Sequence, residues 1–94
     1  MNKTMKISYV QNKNNVKDAF VAIFNNVDPQ TIVKICDDAW ENAKMNDIAT
    51  GSHDIFTTDL CISWDGWDEG EETTKTFIDA IIEECKKFDI EVES

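Results

Sequence analysis

Between residues 55 and 64 apolar and polar side chains alternate, and the segments on either side carry apolar residues every three or four positions. That combination constrains the chain more than any other feature. Phe56, Thr58, Leu60, Ile62 and Trp64 fall on one side of the alternating stretch. Thr57, Asp59, Cys61 and Ser63 fall on the other, so the stretch reads as one strand buried on one face. Before it, Asp28-Pro29 marks a helix start, with Asp28 as cap and Pro29 where no backbone donor is needed. Ile32, Ile35, Cys36, Ala39, Trp40 and Ala43 then make a single apolar stripe. After it, a second helix opens near Glu71 to Thr74 with acids suited to the positive end of the helix dipole. It turns Phe77, Ile78, Ile81, Ile82, Cys85 and Phe88 inward, and Lys86 and Lys87 stand in its last turn. Helices that are apolar on one side only need a second layer, and an alternating strand supplies it.

The remaining segments are read the same way. Residues 5–10 alternate, with Met5, Ile7 and Tyr9 on one face, and predict a strand. Residues 11–14 form a polar turn. Asn15, with Asp18 three positions on, then caps a helix whose stripe is Val16, Ala19, Phe20, Ile23 and Phe24. Residues 46–53 are a loop containing Gly51. Asp65-Gly66, between Trp64 and Trp67, is a hairpin signal, although Asp68-Glu69-Gly70 fits a longer loop equally well. Ile90 and Val92 make a last short strand. The expected fold is α+β, a small sheet of 3–4 strands packed on one face by three helices in the order β-α-α-β-(β)-α-β. One domain is expected over residues 1–94. The crossover from the 55–64 strand to the last strand is expected to be right-handed if the two are parallel neighbours.

Charge is distributed unevenly along this chain. The net value is −10, and every cation is a lysine. Residues 1–50 balance six lysines against six acids, whereas residues 51–94 set three lysines against thirteen acids. Seven carboxylates and no cation lie between Asp54 and Glu72. Such one-sided charge disfavours nucleic acid or an anionic membrane as a direct partner, since both require a basic surface. No apolar run reaches the ~18 residues of a membrane span, and the N-terminal ten residues do not read as a secretory leader. The expected location is the cytosol of the host cell. Cys36, Cys61 and Cys85 are odd in number and contain no paired spacing, which fits separate thiols better than a disulfide framework.

Motifs that carry chemistry are missing. His53, the single histidine, lies in a loop beside Asp54 and reads as a solvated side chain without further ligands at metal spacing. The acidic run from Asp65 to Glu72 lacks the alternating ligands and terminal glutamate of a calcium loop. There is no glycine-rich phosphate loop, nucleophile elbow or cysteine–histidine pairing, and no cofactor is implied. Binding is therefore expected, and catalysis is not.

The acidic half defines a candidate partner surface. Glu72, Asp79 and Glu83, preceded by Asp68 and Glu69, stand about one or two turns apart, and one turn rises ~5.4 Å. That spacing is comparable with phosphates along a nucleic-acid strand. Asp54, Asp59, Asp65 and Asp68 extend the patch, and Trp67 in its acidic loop is a candidate interface anchor. In size, charge and layout the chain resembles the small acidic proteins of phages and mobile elements that block restriction enzymes, CRISPR effectors or repair enzymes. Its element order is also similar to that of barstar-like nuclease inhibitors. No family residues carry over onto this sequence. The resemblance implies an inhibitor that fills the basic nucleic-acid groove of a nuclease or a CRISPR or restriction effector. The alternative is an adaptor or structural subunit that binds through Trp67 and apolar edges. A monomer and a homodimer joined by a strand edge remain equally open.

Overall fold

The computed structural model describes residues 2–11 and 14–93. Its elements are β1 (Thr4–Tyr9), β2 (Ala19–Asn25), α1 (Pro29–Asn42), α2 (Met45–Ile48), β3 (Asp54–Thr57), β4 (Cys61–Asp65), α3 (Gly70–Lys87) and β5 (Glu91–Glu93). The five strands form one mixed sheet in the order β3-β4-β2-β1-β5. β1 and β2, β2 and β4, and β3 and β4 pair antiparallel, and β5 joins β1 in parallel. The α+β class is as expected, but the sheet has five strands instead of 3–4, the stretch expected as a loop over 46–53 opens with the short helix α2, and three further elements of the expected order change. The polar turn expected over 11–14 lies partly outside the described residues.

The first change is the segment read as a capped helix, which is strand β2. Its sequence, Ala-Phe-Val-Ala-Ile-Phe-Asn, is apolar up to its last residue and so satisfies both a period of 3.6 and a period of 2. The neighbours select the strand. Met5 stands opposite Phe24, Ile7 opposite Ala22 and Tyr9 opposite Phe20. On the other edge Ile62 pairs with Ala22 and Trp64 with Phe20. Phe20, Ala22 and Phe24 are buried, whereas Ile23, expected in the helix stripe, is 49% exposed on the opposite face. Asn15 caps nothing; it sits at φ +55° ahead of the strand.

The second change divides the 55–64 strand. Thr58 ends β3 by turning the chain: its N–H donates to the Cys61 carbonyl at 2.9 Å, and its hydroxyl accepts from the Leu60 and Cys61 amides. This is a threonine-built turn, and it contains neither glycine, asparagine nor proline. The third change follows from it. Asp65-Gly66 closes no hairpin but leads from β4 into α3, with the amides of Glu69 and Gly70 donating to the Gly66 carbonyl. The return strand lies before β4, not after it.

The two long helices form as their stripes require. Asp28 caps α1 by accepting from the Thr31 amide at 3.0 Å and its hydroxyl at 2.9 Å, bonds that hold the Asp28 carboxyl below the usual range. Lys44, at φ +55°, follows the end of α1. Helix α3 opens at Gly70, whose φ of +86° suits a residue without a Cβ. Both helices cover the same face of the sheet. Ile32, Ile35, Cys36 and Ala39 of α1 and Phe77, Ile78, Ile81 and Cys85 of α3 share one core with Met5, Phe20, Ala22, Phe24, Ile62 and Trp64. Glu84 is buried between the helices, where it accepts from Asn42 at 3.0 Å and from Lys87 at 2.8 Å. β4 and β5 run parallel but are separated by β2 and β1, so α3 crosses over two strands instead of linking neighbours.

The strand assignment of β2 is tested by two lysine substitutions. Ala22→Lys should abolish cooperative folding, because it drives a charge into the core. Ile23→Lys, on the open face, should cost no more than about 1 kcal/mol in urea unfolding. A helix over the same residues would make Ile23 the more damaging of the two.

Candidate functional site

Trp64 organises the acidic end of the molecule. Its ring is buried, and its centroid lies 5.9 Å from that of Trp40 and 5.5 Å from that of Phe77. Its indole N–H donates to the Thr74 hydroxyl at 2.9 Å, which in turn donates to the Gly70 carbonyl at 2.9 Å. A Cβ on Gly66 would come within 2.6 Å of the Trp64 indole, so glycine is the residue that lets the chain fold back over the ring. These contacts fix the turn between β4 and α3, and with it Trp67 and Asp68.

His53 is not the solvated loop side chain expected. Its ring stacks on Trp64 at 5.1 Å and 27° and packs against Trp40 at 5.5 Å. Its Nδ1 lies 3.9 Å from Oε2 of Glu69, a carboxylate whose side chain is only 2% exposed. That separation suits an ion pair when the imidazole is protonated and is too long for a hydrogen bond. Neither atom has a hydrogen-bond partner among the described residues. Gly51 closes the same corner, where a Cβ would lie 2.5 Å from the Glu69 carboxylate. Asp68 holds the loop by accepting from the Ser52 amide at 3.3 Å.

The carboxylates expected on one face divide into three groups. Asp54 and Asp65 stand directly opposite one another on β3 and β4. Asp68 joins them through Ser52, and Glu72 lies in the first turn of α3. Trp67, in the turn between β4 and α3 that separates Asp65 from Glu72, is 53% exposed. Among the described residues none of these four acids has an ion-pair partner. Asp79 and Glu83, farther along α3, are paired with Lys75 at 2.9 Å and Lys86 at 3.1 Å. Asp59 occupies the β3–β4 turn, at the opposite end of the hairpin from Asp54 and Asp65. Glu69 points inward toward His53 and presents no carboxylate to a partner. Glu71, which sequence reasoning did not single out, belongs with the first group: its Oε1 accepts the Lys17 amide at 2.9 Å. The signal available was its position beside Glu72 in the first helical turn.

The sheet face away from the helices is uncovered. Phe56 is 58% exposed and Leu60 is 66% exposed, although sequence reading placed both on the buried side with Trp64. The break at Thr58 explains the difference. After the turn, Phe56 pairs with Ser63 and shares its outward face, while Ile55 and Thr57 pair with Trp64 and Ile62 and face the helices. Cys61 lies on the open face, with Sγ 3.2 Å from the Thr58 hydroxyl. Cys36 and Cys85 are buried, and burial pushes their thiols up to about 11 and about 12, helped by the charges of Asp37 and Glu84 respectively.

No group of three or more His, Cys, Asp or Glu side chains among the described residues could hold a metal ion. No helix among them is long and apolar enough to cross a membrane. No protein-family model matches the chain, and comparison with curated proteins and with solved structures found no match.

Two outcomes follow from these placements. Asp54→Asn or Asp65→Asn removes one of two like charges opposed across a strand pair and should raise stability by about 0.2–1 kcal/mol at low salt. The gain should shrink as salt approaches about 1 M, where charges are screened over about 3 Å. In thiol titration with Ellman's reagent at pH about 8, near the ordinary cysteine range, the native protein should release one fast equivalent from Cys61. All three thiols should react in denaturant.

Proposed function

We propose that this protein acts by binding, and that its acidic end occupies a basic, nucleic-acid-binding groove of another protein, such as a nuclease or a CRISPR or restriction effector. The observation that carries the reading is the set of acids without an ion-pair partner among the described residues, Asp54 and Asp65 on the β3–β4 strand pair and Asp68 and Glu72 at the turn into α3, together with the exposed Trp67 of that turn. Their supports are rigid: a strand pair, a turn locked by Trp64, and the first turn of a helix. A field built on such a frame raises the rate of encounter with a cationic groove. The indole supplies contact area of the kind that anchors interfaces. Asp79 and Glu83 carry less of this reading than their spacing suggests, since each already has a lysine beside it. Surface pairs of that kind are weak, about 0–1 kcal/mol, and a partner can displace them.

The open sheet face favours a second reading. Ile23, Phe56 and Leu60 expose apolar surface that an adaptor or assembly subunit could use. Salt separates the two, because apolar contact is not screened.

The test is capture of partners on the immobilised protein at about 50 mM and about 500 mM salt, concentrations whose screening lengths differ severalfold. The expected partner binds nucleic acid, is displaced by duplex DNA or by RNA, and is lost at the higher salt. The double variant Asp65→Lys/Glu72→Lys should lose it while folding normally, by a factor of about 100 or more. Capture that persists at high salt and in that variant, but fails in Phe56→Ser, would support the assembly reading instead.

A further inference from the structure

We infer that the free edge of β3, with the groove it forms against α1, is a docking site for an extended cationic peptide segment of a partner protein, which would add a sixth strand to the sheet. This does not rest on the acidic-end reading above.

The backbone supplies the first reason. β3 is an outer strand of the sheet. The Thr58 amide donates to the Cys61 carbonyl, so residues 58 and 61 form a hydrogen-bonded pair. Antiparallel pairs alternate, so Phe56 with Ser63 and Asp54 with Asp65 are also bonded pairs. The N–H and C=O groups of Ile55 and Thr57 therefore point away from β4, along the outer edge. That is the template an added strand requires. The edge carries no lysine, proline or bulge to blunt it. The opposite edge, β5, is only three residues long and bears Glu91 and Glu93.

The second reason is the groove. Cys36, Asp37 and Trp40 of α1 face Ile55, Phe56 and Thr57 across a cleft of about 260 Å³. Alternate side chains of an added strand would enter it, and the intervening ones would lie over the open face beside Phe56.

Charge selects the occupant. Asp37 lines the cleft, Asp54 begins the edge strand, and Glu41 stands one turn along α1 in the hollow that Asp37 and Trp40 share with the cleft; none has an ion-pair partner among the described residues. Lys44, just beyond the end of α1, is the cation of the adjoining hollow formed with Asp37, Trp40 and Glu41. Lysine or arginine in the peptide meets these carboxylates. A second copy of this chain, with net charge −10, would bring the same acids against themselves. The occupant is therefore a cationic strand and not another copy.

The experiment titrates the ¹⁵N-labelled full chain with an eight-residue peptide of alternating lysine and valine. It follows amide hydrogen exchange at Ile55 and Thr57. Exchange at both positions should slow by about tenfold or more at saturation. A peptide alternating glutamate and valine should have no effect. Thr57→Pro removes one edge donor at a position where an outer strand tolerates proline, and should abolish the protection. Asp37→Asn/Glu41→Gln, at exposed positions, should weaken binding by about tenfold and keeps the test decisive if the proline disturbs β3. The inference is overturned if neither amide slows, or if the glutamate peptide protects equally. It is also overturned if the changes are confined to Asp65 and Trp67, which would mark the acidic end as the cation site. Protection that grows with protein concentration in the absence of peptide would assign the edge to self-association and overturn it too.

Discussion

The burial of Trp64 is the contact on which the rest of the structure depends. Its ring lies against Trp40 from α1, Phe77 from α3 and His53 from the preceding loop, and its N–H reaches Thr74. One side chain thus joins the central sheet, both long helices and the loop before β3. A large indole can be buried this fully only if its polar edge finds an acceptor and the backbone beside it leaves room. Thr74 and Gly66 meet those two conditions. The consequence is a fixed path from β4 into α3, which turns Trp67 and Asp68 outward and Glu69 inward.

That path sorts the carboxylates by what surrounds them. On α3 beyond its first turn, acids alternate with lysines at helical spacing, and Asp79 and Glu83 are matched locally. Glu84 is buried but satisfied by Asn42 and Lys87 and serves to tie the helices together. Between Asp54 and Glu72 the sequence holds no lysine, and Lys17, whose backbone amide reaches Glu71, directs its ammonium over the Tyr9 ring. Lys3 donates to the Phe88 carbonyl. Of the second-half acids, Asp79 and Glu83 are therefore paired, whereas Asp54, Asp65, Asp68 and Glu72 have no ion-pair partner among the described residues. Two-layer architecture also leaves one sheet face without cover and the outer edge of β3 without a paired strand.

Much of the architecture was legible from spacing. Both long helices begin and end close to where their stripes and caps place them, because Asp28-Pro29 and the acids before Phe77 act within a turn of their own backbone. The partner layer, the final strand and the burial of Trp64 could be read as well. The 19–25 segment could not, because Phe20, Ile23 and Phe24 fit a helical stripe while Phe20, Ala22 and Phe24 fit a strand. The Thr58 turn was hidden for a different reason: a threonine hydroxyl replaced the glycine or asparagine that usually marks such a turn. Of the candidate surface, the acids and Trp67 were visible in the sequence, whereas the inward turn of Glu69 and the pairing of Asp54 against Asp65 were not.

Local chemistry alone settles the composition of this protein's surface and the two helices that carry its core, since caps, dipoles and stripes act over a few residues. Which face each strand residue takes, which carboxylates remain unpaired and which edge is left open depend on partners far away in the chain. β2 became a strand because β1 and β4 stood ready to pair with it on both sides. Phe56 faces solvent because a turn two residues later reversed the chain and set its register against Ser63. Long-range pairing has no period that a short window of residues can display, and so these outcomes emerge only when the sheet is assembled.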